Sequence, residues 1–139
     1  EARTDTRDWT SYDITLNGQK LVGLRKRHAI YQTFRYLVEQ GISPEKVAEQ
    51  CGQRASRALV SVEGVVDAEN FHFLAKEARK QEGRNFDATR YFCDEDELLH
   101  FGGRTYAFLN QWGGKAWLQA MVNLRDAFVE MEIEFEPSE

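Results

Sequence analysis

The dipeptide Asn17-Gly18 limits what this chain can fold into more than any other feature. Before it, Tyr12, Ile14 and Leu16 alternate with Asp13, Thr15 and Asn17, the period-2 pattern of a strand with one buried face. After it, Lys20 to Leu24 returns as a partner strand. Asn-Gly favours a two-residue type I′ turn, because both central residues take positive φ and the turn twists as paired strands do. An antiparallel hairpin is expected here, and an isolated hairpin needs a helix or more strands to cover its apolar face.

That cover follows directly. Ile30, Phe34, Leu37 and Val38 fall at i, i+4, i+7 and i+8 and predict a helix over His28–Gln40 with one apolar stripe. Gly41 stands where a left-handed residue ends such a helix. Ser43-Pro44-Glu45 reads as N-cap, N1 proline and an acid at the positive end of a helix dipole. It predicts a short second helix to about Cys51, broken at Gly52-Gln53-Arg54. Arg57 to Val66 is rich in β-branched residues and predicts a strand, bent at Gly64. Asp67 is placed to cap a helix from Ala68 to about Lys80, with Phe71, Leu74, Ala75 and Ala78 on one face. Gln81 to Asp87 reads as a polar loop and Thr89 to Cys93 as another strand, followed by the acidic turn Asp94-Glu95-Asp96-Glu97.

The pattern of the hairpin then recurs. Leu98, Leu99 and Phe101 lead into Gly102-Gly103, and Thr105 to Leu109 leads out. After the loop Asn110-Gln111-Trp112-Gly113-Gly114, a helix from about Lys115 carries Trp117, Met121, Leu124 and Phe128 on one face. Met131, Ile133 and Phe135 alternate with glutamates and predict a closing strand, ended by Pro137. Two hairpin-helix units, 11–41 and 97–136, are thus predicted, with weak mutual identity that suggests a duplicated ββα element. The expected class is α+β: a two-layer sandwich of β-hairpins backed by helices. It forms one domain over residues 11–137 behind an irregular lead-in, residues 1–10, anchored by Trp9.

Composition sets outer bounds. A chain of 139 residues, 42% hydrophobic and 29% charged, can bury a core without metals or disulfides. No run of 18 apolar residues occurs, so no membrane-spanning helix is expected. The first residues carry neither a secretory leader nor an initiating Met, which reads as a module of a longer protein. Cys51 and Cys93 are isolated; a disulfide stays open, but two lone thiols without a leader fit a reducing cytosol.

The net charge of -5 opposes a uniformly basic surface, yet the distribution is uneven. Residues 20–35 hold Lys20, Arg25, Lys26, Arg27 and Arg35 and no acid, whereas residues 126–139 hold six acids and no base. Arg25-Lys26-Arg27-His28 lies where the first hairpin meets its helix. Such cations neutralise phosphates with counterion release, and neighbouring aromatics can stack on bases. The competing reading is a solvated connection that balances the acidic C-terminal segment. Beside the loop 110–114, Lys115 and the free N–H groups of a helix start suit an anion, and Trp112 within the loop is a stacking candidate. The competing reading makes the loop a structural turn with Trp112 in the core.

Catalytic patterns are weak. Cys93 and His100 form no zinc-type pair of pairs, and His28, His72 and His100 fall in three separate elements. The acids Asp94 to Glu97 read as a solvated turn, and no Gly-x-Ser-x-Gly occurs. No catalytic residue, metal ligand or cofactor is therefore assigned, and the reading leans away from an enzyme. The segments Tyr12 to Lys20, Arg90-Tyr91-Phe92 and Gly103 to Gly113 resemble small α/β modules appended to prokaryotic restriction-type and other DNA-associated proteins. That resemblance implies an accessory module beside a catalytic domain located elsewhere, and it fixes no functional residues. The function expected is nucleic-acid binding through Arg25, Lys26, Arg27 and Arg35, with Trp112 and Lys115 as further candidates. The alternative is a protein-interaction or homo-oligomerisation module without nucleic-acid binding, using the acidic segment Glu130–Glu136 or an open hairpin edge.

Overall fold

The computed structural model describes residues 10–138, so the lead-in before Thr10, Trp9 included, lies outside the described residues. Strands β1 (Ser11–Leu16) and β2 (Gln19–Arg25) form the expected hairpin, with Asn17 and Gly18 at φ 50° and 87°. The hairpin carries a bulge, since Tyr12 pairs with Leu24 but Ile14 pairs with Leu21. Gly23 takes up the extra residue at φ 68°, and its N–H donates to Asp13 Oδ1 at 3.0 Å. Strand β7 (Ile133–Pro137) closes the sheet antiparallel to β1, giving the order β2-β1-β7.

Helix α1 (Lys26–Glu39) follows β2 without a gap and begins two residues before the predicted start. Ser43 caps α2 (Pro44–Ala48) by accepting the Lys46 N–H at 3.3 Å, and this helix ends earlier than expected. The strand predicted over Arg57–Val66 shortens to β3 (Leu59–Glu63). Residues Gly52–Arg57 wind into a 3-10 turn, and the Gly64 N–H turns aside to Gly103 O at 2.8 Å. Asp67 caps α3 (Ala68–Gln81) as predicted. Its buried face is narrower than expected: Phe71 and Ala75 are buried, but Leu74 and Ala78 stay exposed, because α3 meets only one face of a sheet.

The strand predicted over Thr89–Cys93 begins inside a 3-10 turn (Ala88–Arg90), leaving the two-residue β4 (Tyr91–Phe92). Strands β5 (Leu99–Phe101) and β6 (Arg104–Leu109) make the second hairpin. The second sheet has the order β3-β6-β4, with β5 beside β4 along the same edge of β6. Helix α4 (Gly114–Ala127) follows. Between α4 and β7 the chain reverses without Gly or Pro, through a 3-10 turn (Val129–Met131) and Glu132 at φ 51°.

The mixed α/β class of hairpins backed by helices holds, with four helices and two antiparallel sheets among the described residues. Helices α1 and α4 lie between the sheets. Their Ile30, Phe34, Trp117 and Met121 share one buried cluster with Ile14 of β1 and Phe108 of β6. The Phe34 and Phe108 rings lie 4.2 Å apart, and truncating such a ring to Ala costs about 3–5 kcal/mol. A second cluster joins Phe71 and Ala75 of α3 to Val60, Val62 and Ala107 on the other face of the second sheet. Central strand β6 is therefore covered on both sides, and residues 105–109 are all buried. The two hairpin-helix units differ in pairing: the first strand is central in one sheet, the second strand in the other.

Candidate nucleic-acid interface

Two of the four helices begin in a conventional way and two do not. Ser43 and Asp67 cap α2 and α3 with their side chains, and Glu45 and Glu69 put acids in the first turns. Helices α1 and α4 start at Arg25 and Gly113 with no side-chain cap and no acid in the first turn. Their first turns carry cations instead: Lys26 and Arg27 on α1, Lys115 on α4. Cations at a helix N-terminus oppose the macrodipole, so this placement weakens the fold locally and favours an incoming anion.

These two starts are brought together. Lys26 Nζ stands 5.6 Å from the centroid of the Trp117 ring, and Trp117 shares the first turn of α4 with Lys115. Trp117 is itself wedged beneath β1, with the Tyr12 ring at 4.4 Å. Its indole N–H is buried with no partner among the described residues. Arg25, exposed at the end of β2, is the N-cap of α1, its backbone extended at φ -68° and ψ 160°.

Beside this end lies a cleft of about 380 Å³. Arg27, His28, Asp94, Glu97, Thr89 and Asn110 are among the residues that line it. The His28 ring packs 5.7 Å from Phe92. Partial burial, then the Arg27 charge, pulls its pKa below the usual imidazole value against the opposing pull of Glu97. Glu97 also organises the acidic turn, its carboxylate accepting the Asp94 N–H at 3.1 Å. Asn110 donates to Thr89 O at 3.0 Å, which fixes the start of the loop that leads into α4.

Not all predicted candidates belong here. Trp112 is buried in the core, stacked on Phe108 at 5.5 Å and 17°, and its N–H donates to Leu109 O at 2.7 Å. It has no free face for a base and plugs the core instead, which makes the loop a structural turn. Arg35 lies two turns further along α1, bound to Glu39 at 3.3 Å and to Asp96 O at 3.4 Å, and lines a different hollow with Gln32 and Tyr36. The pair considered for zinc is also divided. Cys93 Sγ donates to Ala88 O at 3.4 Å, while His100 Nδ1 is 3.1 Å from Thr105 Oγ1. No group of three or more potential metal ligands occurs among the described residues, and no described helix is long and apolar enough to cross a membrane.

Asp94 and Asn110 were not singled out as a pair by the sequence, and neither carries a local signal for it. They meet Arg27 and His28 only because β4, β6 and α1 converge. Compared with known proteins, the chain matches no family model, no curated protein and no solved structure.

Proposed function

We propose that the end of the molecule where α1 and α4 begin binds the phosphate backbone of a nucleic acid. In this reading the chain is an accessory module of a larger, cytosolic protein of restriction-related type. The observation that carries the binding role is the contrast between helix starts. Two are capped and acidic, and the two that converge are uncapped and surrounded by Arg25, Lys26, Arg27 and Lys115. Phosphate contacts supply most non-specific affinity and make it fall steeply with salt.

The test is binding of labelled DNA and RNA over a range of salt. The Arg25/Lys26/Arg27→Ala variant should bind at least tenfold more weakly, with a salt slope smaller by about 2–3, since each lost phosphate contact removes a little under one from it. No binding by the unmodified chain at low salt would end this reading. A second reading, a protein-interaction or homo-oligomerisation module, draws on β2, where Val22 is 66% exposed and Leu21 36%. It predicts self-association or capture of another chain at moderate salt, abolished by Val22→Lys, with no response to nucleic acid.

A further inference from the structure

We propose that the cleft between the start of α1 and the end of β4 receives one unpaired nucleobase, so that the chain takes single strands in preference to paired duplex. This rests on the phosphate-binding reading above and extends it from backbone to base. The cleft holds about 380 Å³, within the range of small-ligand sites, and its lining carries charges of both signs. Arg27, next in sequence to Arg25 and Lys26, lines it together with the acids Asp94 and Glu97. A phosphate is drawn to the cations and repelled by the carboxylates. A base, uncharged and edged with N–H donors, meets the opposite preference. A nucleotide is thereby oriented, with its phosphate at the helix starts and its base in the cleft.

The walls suit that occupant. His28 is exposed and rests against Phe92, which presents an aromatic ring for stacking, a sequence-tolerant contact worth about 5- to 150-fold in affinity per base. The Asp94 carboxylate accepts no hydrogen bond from the described residues, although its backbone is held by Glu97. It is available to accept from adjacent ring and exocyclic N–H groups, the pattern guanine presents on its pairing edge. In duplex that edge is occupied by the partner base, and exposing it requires unpairing.

The experiment compares labelled single-stranded oligonucleotides of different base composition with a blunt duplex, at one low salt concentration. The proteins are the unmodified chain, His28→Ala and Asp94→Asn, with circular dichroism confirming that the variants fold. The proposal expects single strands to bind about tenfold or more tightly than duplex. His28→Ala should lose at least fivefold on single strands and little on duplex, and Asp94→Asn should flatten a preference for guanine-containing strands. Equal binding of single strands and duplex, unchanged by His28→Ala, would overturn the base pocket while leaving the phosphate reading intact. Asp94→Asn tightening every strand equally would also overturn it, since the carboxylate would then act only by repulsion. Failure of both single strands and duplex to bind the unmodified chain would remove both readings.

Discussion

Lys26 Nζ lies 5.6 Å from the centre of the Trp117 ring, which holds the first residue of α1 over the first turn of α4. The contact couples the two helix starts that hairpin geometry alone would leave independent. A cation over an indole contributes about 0.5–1 kcal/mol where solvent still reaches it, and the lysine stem adds packing. Lys26→Met keeps the stem and removes the charge. It should lower stability to urea by no more than about 1 kcal/mol, while reducing the salt slope of nucleic-acid binding by about 1. A loss of several kcal/mol with an unchanged slope would make Lys26 a structural residue only.

Thr105 is a buried junction. Its hydroxyl donates to Gly64 O at 2.7 Å, accepts the Val66 N–H at 3.0 Å and lies 3.1 Å from His100 Nδ1. Thr105→Val matches its shape but leaves the Gly64 and Val66 groups without this partner, at about 1–3 kcal/mol for each unsatisfied group. Thr105→Ser keeps the hydroxyl and loses one methyl, worth about 1 kcal/mol. Urea unfolding should therefore rank Ser well above Val. Equal stabilities would show that the junction contributes little.

Asp13 ties the bulge of the first hairpin to the chain's end. Its carboxylate accepts from Ser138 Oγ at 2.6 Å and from the Gly23 N–H, with Lys20 Nζ at 3.7 Å. The Ser138 bond, then the Gly23 bond, lowers its pKa below the ordinary 3.8. A depressed folded-state pKa gives stability that is complete above the unfolded value and lost as pH falls through the folded one. Asp13→Asn should accordingly be less stable than the unmodified chain at pH 7. The difference should narrow below about pH 3.8. Parallel stability curves down to pH 2 would contradict the assignment.

Cys51 and Cys93 are free thiols buried in different clusters, on opposite faces of the second sheet. Burial pushes the Cys51 pKa up to about 12 and the Cys93 pKa up to about 11, so almost no reactive thiolate exists near neutrality. Iodoacetamide at pH 8 should leave the folded chain unmodified and label both cysteines once urea unfolds it. Rapid labelling of the folded chain, or a disulfide by mass spectrometry, would contradict this placement.

Features set within a few residues could be read directly. The Asn17-Gly18 turn, the Ser43 and Asp67 caps and the stripes of α1 and α4 all appear where the local pattern predicts. Each depends on φ preferences or on hydrogen bonds three residues long. Boundaries proved harder wherever no Gly or Pro marked them: Glu132 supplies the left-handed turn before β7, against its intrinsic preference. Strand β4 shortened because Asp87 and Thr89 bond locally at 3.1 Å and wind the preceding residues into a 3-10 turn.

By itself, then, the sequence determined the hairpins, the helices and the basic run at the start of α1, since these follow from neighbours along the chain. Tertiary structure decided the fate of the loop 110–114. Nothing local distinguishes a Trp112 that stacks on Phe108 from one that faces solvent; the depth of the core beneath β6 does. The same holds for the interface. Arg27 and His28 meet Asp94 and Asn110 across more than sixty residues of sequence, because burying the apolar faces of α1 and β6 together leaves their polar ends side by side.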